Sequence, residues 1–162
     1  MTINIPSIIL WGFLATVVLS TMIAAGPGLG LSRMSISFLL GTIFTPDRNR
    51  AALIGFAIHF INGWLFALVY AAAFESMHLA TWWLGAAFGA VHGLFVLVVG
   101  LPLLPSVHPR MASETYGPTP TRLLQPPGFM ALNYGRQTPV ISLIAHIAYG
   151  AMLGHFYQLA GG

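Results

Sequence analysis

The sequence predicts an all-α integral membrane protein, a bundle of four transmembrane helices with a short interfacial helix. Three observations predict it. The 162 residues are 57% apolar and only 6% charged, against roughly 25% charged residues in an ordinary soluble domain. Four uncharged stretches are each long enough for the ~20 residues that a helix needs to cross a bilayer. The nine charges, six Arg with Asp47, Glu75 and Glu114, all fall outside those stretches. The absence of cysteine removes disulfides, thiolate metal sites and cysteine nucleophiles. A net charge of +3 on so few groups does not make the basic stripe that nucleic-acid binding needs.

The first span is expected over residues 7–25, after Pro6 and before Gly26-Pro27-Gly28. It reads as an uncut membrane helix and not as a cleaved signal. The preceding residues carry no positive charge, and Ile23 before Ala25 spoils a small-x-small cleavage site. The second span is expected over 51–74, the third over 81–104 with Pro105 closing it, and the fourth over 140–160 with Pro139 in its first turn, where a missing N–H costs nothing. The four spans belong to a single membrane domain, with loops 26–50 and 105–139 between them.

Orientation follows from arginine. Arg33, Arg48 and Arg50 lie between spans one and two, and Arg110, Arg122 and Arg136 between spans three and four. Four spans put both loops on one side, and cytoplasmic loops carry the Lys/Arg excess. The expectation is therefore a multi-pass protein of the cell inner membrane with both termini on the outer, periplasmic side. Trp11, Tyr70, Trp82, Trp83 and Tyr157 would then lie near the outer headgroups, where amphipathic rings are enriched. Asp47 reads as a charge partner for Arg48 and Arg50, and Glu114 as a second interfacial acid.

The loops have their own content. Residues 31–44 (LSRMSISFLLGTIF) are apolar but too short to cross, which suits an interfacial or re-entrant helix. Residues 105–137 are Pro-rich, and structureless loops beyond ~12–15 residues are usually functional or disordered. Phe129, Met130, Leu132 and Tyr134 give this loop apolar groups with which to dock on the bundle or on a partner.

Spans two and four share a pattern. HFINGWLFALVY (59–70) and HIAYGAMLGHFY (146–157) both read His-x3-Gly-x6-Tyr, each following an arginine. Duplication and chance both account for it.

Four histidines lie inside spans: His59, His92, His146 and His155. An ionisable residue at that depth is expensive and points to function or to a named partner. At 1.5 Å per residue, His59 lies about 12 Å, His146 about 9 Å and His92 about 18 Å from the arginine-side end of its span, so the three can share a level. His146 and His155, nine residues apart, face opposite ways at 100° per residue. His146 is expected inward on a stripe with Gly150 and Gly154, and His155 outward. His59 lies between Gly55 and Gly63, and His92 sits beside the seam Gly85-x3-Gly89-x3-Gly93.

Three readings stand for this core. In one, glycines let the helices close and neutral imidazoles act as polar glue, hydrogen-bonding to Asn62, Tyr149 or backbone carbonyls. In another, haem b is ligated by His59 and His146, with Gly63 and Gly150 making room for the macrocycle. In the last, a transition metal or a quinone sits at His59, His92 and His146. No HExxH, P-loop or Gly-x-Ser-x-Gly is present, and a transporter is disfavoured by four spans without a buried acid or a mid-span break. The expected role is non-enzymatic: an accessory or scaffold subunit that meets the lipid bilayer and either another membrane protein or itself. The alternative is a redox-active protein holding haem b, a metal or a quinone.

FTPDRNRA (44–51), HFINGW (59–64), WWLGAAFGAVHG (82–93), LLPSVHPRMASE (103–114) and PPGFMALNYG (126–135) resemble segments of a set of small, uncharacterised bacterial integral membrane proteins with four predicted helices. The resemblance covers about three quarters of the chain. It implies a bacterial membrane location and a four-helix build, and brings no reaction or binding residue with it.

Overall fold

The first two long apolar runs, and the short helix between them, begin at a residue whose side chain supplies what the first helical turn lacks, a partner for its free N–H groups. The Asn4 side chain accepts from Ser7 N (3.1 Å) to start α1, Ile5–Gly28. Ser35 starts the short α2, Ile36–Gly41. Asp47 accepts from Arg50 N (2.8 Å) at the head of α3, Arg48–Met77, so the acid read as a charge partner serves as a helix cap. A third long helix comprises α4, Trp82–Phe95, a π-helical segment, Val96–Gly100, and α5, Leu101–Val107. The fourth is α6, Thr138–Phe156. The computed structural model describes residues 2–113 and 115–160, so Glu114 lies outside the described residues.

The chain is 70% helical, and no strand occurs among the described residues. Among the described residues, four helices are long and apolar enough to cross a membrane: Ile5–Gly28, Arg48–Met77, Trp82–Val107 and Thr138–Phe156. The protein is a multi-pass membrane protein built as a bundle of four spans. Three of the helices overrun the expected ends. Pro27 does not stop α1, which continues to Gly28. Arg48 and Arg50 lie in the first turn of α3 and Glu75 in its last. The interfacial segment keeps helix only at Ile36–Gly41, pressed against α3.

The third span departs from a continuous α-helix, contrary to the expectation of unbroken spans. Pro102 has no N–H to give the carbonyl four residues back. The ladder shifts register just before it, with Leu101 N bonding to Val96 O. Such π segments widen a helix and recur at functional sites.

Packing inverts the soluble pattern. Large aliphatic and aromatic side chains face outward, such as Leu53 (73% exposed), Val91 (68%) and Val69 (60%), while small residues and tyrosines line the inside. Lipid is as apolar as leucine, so helices associate by close contact and hydrogen bonds instead of by escaping water. The most extensive contact is between α4 and α6. A methyl on Gly85 would lie 2.9 Å from Gly154 Cα, and one on Gly150 would lie 2.9 Å from Gly89 Cα. On the other side, α1 meets α3 where Gly12 faces Ala67 and Gly63 faces Thr16. The repeated His-x3-Gly motif thus has one shared use: Gly63 and Gly150 each admit the helix that opens their half of the chain.

The Pro-rich loop is folded onto the arginine-side end of the bundle. Arg33 N donates to Tyr134 O (2.7 Å) and Arg33 Nη2 to Asn133 O (2.5 Å). The Tyr134 hydroxyl donates to Gln125 O (2.6 Å), and Ser32 Oγ meets Thr138 Oγ1 at 2.8 Å. A 3-10 turn at Phe129–Tyr134 holds Met130 (φ 51°) and Ala131 (φ 59°) in the left-handed region, a conformation that persists in non-glycine residues only when surroundings enforce it.

Candidate functional site

Between α3 and α4, at the level where the sequence places three histidines, the bundle encloses a chamber of about 260 Å³. Its existence follows from uneven packing. The α4–α6, α2–α3, α1–α6 and α1–α3 contacts are extensive, and α3–α4 is not among the extensive pairs. Those two helices meet through aromatic side chains near their connecting turn: Tyr70 lies edge-on to Phe88 (5.9 Å) and Phe74 stacks on Phe88 (5.7 Å). Beyond Phe66, whose ring stacks on His92 at 3.7 Å, the π segment and α5 run past open space that α2 and α6 close from other sides.

His59, His92 and His146 all line this chamber, together with Asn62, Gly63 and Tyr149. The His92 and His146 rings are edge-on at 4.8 Å. His146 is 4% exposed, and its Nδ1 is 2.7 Å from Ser142 O. A carbonyl only accepts, so the proton sits on Nδ1 and, in the neutral ring, Nε2 is left as an acceptor. His92 Nδ1 lies 3.4 Å from the Tyr70 hydroxyl, a long contact. His59 Nε2 is buried and has no hydrogen-bond partner. Such an orphan calls for an explanation, because an unmet buried polar atom costs about 1–3 kcal/mol.

Apart from Ser142, the remaining wall is apolar. Leu19 and Ile23 of α1, Ile36 and Leu40 of α2, and Leu101 and Leu104 of α5 surround the arginine-side end. The mouth lies between α3 and α4, since Asn62 of α3 and Phe95 of α4 both line the chamber and are both exposed. Asn62 thereby carries an amide at mid-span where hydrocarbon would surround it, a costly placement.

The sequence reading brought His59, His92 and His146 to one level, and the structure places all three on one chamber. His155 is exposed on the opposite face of α6, edge-on to Phe156. The room beside Gly63 and Gly150 is filled: Thr16 sits against the former and the α4 backbone at Gly85 and Gly89 against the latter. The described residues contain no group of three His, Cys, Asp or Glu arranged to hold a metal ion. Two tyrosines assigned to the outer headgroup level are core residues, with Tyr70 4% and Tyr157 6% exposed. Tyr70 packs on His92, and Tyr157 donates to Glu75 Oε1 at 2.8 Å. Sequence reasoning gave Asn62 and Tyr149 only as hydrogen-bond partners for the histidines. The residues Asn62, Phe66 and Tyr149 lie three, seven and ninety positions from His59 along the chain, and only the first two are traceable by helical spacing on one face of α3.

Compared with protein-family models, curated proteins and solved structures, the chain has no significant match.

Proposed function

We propose that this protein binds a compact lipophilic molecule inside the membrane, with His59, His92 and His146 meeting its polar end. The observation that carries the reading is the unpartnered, buried Nε2 of His59 on the wall of a chamber of about 260 Å³. Polar glue accounts for the Nδ1 of His146, which donates to Ser142 O, and leaves His59 Nε2 without a partner. A dry cavity of about 150 Å³ takes up benzene, so this chamber has room for one or two rings. That size favours a small ring compound over haem b, whose four-pyrrole macrocycle would also need the space that Thr16 and the α4 backbone occupy. Organic extraction of the purified protein followed by mass spectrometry tests the reading. A stoichiometric small molecule that disappears in His59→Phe is expected, and wild-type protein yielding none would sink it. An absorption spectrum before and after dithionite addresses haem directly, and a Soret band lost in both His59→Ala and His146→Ala would replace this ligand with haem.

A second reading, an accessory or scaffold subunit, is favoured by the folded arginine-side loop, which presents Leu123 (77% exposed), Phe129 (63%) and Leu132 (47%). Cross-linking in the native membrane tests it, and a clean monomer would count against it. In this reading the loop is cytoplasmic and both chain ends lie outside, in a bacterial inner membrane; the clustering of arginine in the two loops on one side supports the orientation.

A further inference from the structure

The polarity of the chamber runs opposite to that of the bilayer. Its polar groups, His59, Asn62, His92 and His146, lie at mid-span, and its apolar end at Leu40 and Leu104 lies toward the arginine-side interface. We infer that the occupant is an uncharged one- or two-ring compound bearing a hydroxyl, taken up from the hydrocarbon through the mouth between α3 and α4. This rests on the ligand-binding reading above and names the class of ligand.

Three observations narrow the class. A phospholipid would sit with its headgroup at the interface, where this chamber offers apolar side chains and the lone hydroxyl of Ser142, and no arginine lines the wall to meet a charged group. Ionised ligands are disfavoured as well, because a charge at mid-depth is costly without a partner. The size limit comes from the volume, less than twice that of a cavity that takes benzene.

The hydroxyl follows from the donor and acceptor inventory. His146 gives its Nδ1–H to Ser142 O, so its Nε2 requires a donor. A ketone or an ether has none to give, whereas an alcohol or phenol does. The same oxygen accepts from the Asn62 amide at the mouth, which ends the exposure of that group to hydrocarbon. A hydroxyl on a ring therefore supplies both the donor and the acceptor that these two residues call for, and the apolar remainder fills the aliphatic end.

Entry from the side is built into the fold. Asn62 and Phe95 are exposed on either lip, and the π segment that widens the α4 side begins at Val96, itself on the chamber wall. A lipophilic compound dissolved in the bilayer reaches this mouth without crossing water.

The test uses the full chain in nanodiscs and fluorine NMR, with protein-free nanodiscs as the partition control. The probes are 5-fluoro-1-naphthol, its methyl ether and 5-fluoro-1-naphthoate. The naphthol is expected to show a saturable bound resonance at one per protein, with the ether at least about tenfold weaker, as a buried acceptor left unpaired predicts, and the naphthoate silent. Asn62→Leu, which adds an apolar side chain on an exposed face and leaves the fold intact by gel filtration, is expected to weaken naphthol about fivefold. Equal binding of naphthol and ether, or an unchanged Asn62→Leu, overturns the hydroxyl assignment. Failure of all probes while extraction still yields a native compound refutes this class and leaves ligand binding standing. Failure of the probes and of extraction together refutes both.

Discussion

The Tyr149 hydroxyl donates to the backbone carbonyl of Gly63 at 2.6 Å, joining α6 to α3 across the interior of the bundle. Gly63 is also where Thr16 of α1 makes its closest approach to α3. One residue thus gathers three helices immediately beside the chamber: it has no side chain to keep α1 away, and its carbonyl is open to a tyrosine. Tyr149→Phe removes the bond and keeps the ring, which is fully buried. The expected cost is about 0.6–1.7 kcal/mol, the range of interhelical hydrogen bonds measured in membranes. Equilibrium unfolding in mixed micelles reads it, and a change within error would show that the α3–α6 contact is held by ring packing alone.

The α4–α6 seam makes a harsher prediction. Gly150→Ala would bring a methyl to 2.9 Å from Gly89 Cα and against the Gly85 carbonyl, both backbone atoms with no rotamer to yield. Overpacking of this kind costs typically about 1–3 kcal/mol. Gly28→Ala, where nothing lies within 4 Å, is the control and should be close to neutral. Thermal aggregation midpoints of the two variants in the same detergent make the comparison.

At the arginine-side end, His108 is 1% exposed and clamps the two loops together. Its Nδ1 accepts from Arg110 N (3.1 Å), so the proton is on Nε2, which donates to Leu39 O (3.0 Å) and lies 3.2 Å from Thr42 Oγ1. Burial holds this imidazole below its ordinary value of about 6.5; the Leu39 bond opposes the shift, and the Arg110 and Arg122 charges add to it. Below pH 6.5 the unfolded chain binds a proton that the folded chain refuses. The contribution is therefore complete above pH 6.5 and is lost as the pH falls from there through the folded value. Unfolding midpoints measured from pH 8 to pH 5 should fall over this window in wild-type protein, and His108→Gln should flatten the curve. A parallel decline in both would show that other groups carry the dependence.

At the opposite end, Glu75 is 8% exposed and one carboxyl oxygen accepts from both the Tyr157 hydroxyl and Ala160 N, each at 2.8 Å. Hydrogen bonds to a charged group contribute about 1.5–3 kcal/mol each. Glu75→Ala should release residues 157–160, seen as faster hydrogen exchange there, with a stability loss of about 2 kcal/mol or more. Glu75→Gln keeps an acceptor in place and should retain most of the protection. If Gln behaves like Ala, the charge and not the geometry holds the tail.

Topology has an independent check. A periplasm-dependent reporter fused after the last residue should be active, and one inserted at Gly117, a half-buried residue with φ 57° that follows the exposed Tyr116 in the Pro-rich loop, should be inactive. The reverse result would mean that the arginines do not set the orientation.

Much of this was readable in the residues. The four spans came from length and hydropathy, because a bilayer imposes a minimum apolar run that 6% charge makes easy to see. The level of His59, His92 and His146 came from rise per residue, and the outward face of His155 from helical phase. Ends were less legible: Asp47 and Arg48 look like a charge pair in sequence, yet one caps the helix that the other begins. The belt assignment of Tyr70 and Tyr157 failed for a related reason, since a tyrosine near a span end suits both an interface and a buried partner, and His92 and Glu75 lie too far along the chain to be foreseen.

The sequence by itself determined that this is a membrane bundle of four helices, and that histidine is the only side-chain type within its spans whose unperturbed pKa lies near neutral. That follows from local quantities: how many apolar residues run together, and how a helix rotates and rises. Tertiary structure decided what the glycines are for and where space remains. Gly85, Gly89, Gly150 and Gly154 draw α4 onto α6, while α3 and α4, joined by the shortest turn, stay apart beyond Phe66. A chamber is the volume that pairwise packing leaves over, so it depends on every helix at once and on the register shift before Pro102, and no window of sequence contains it.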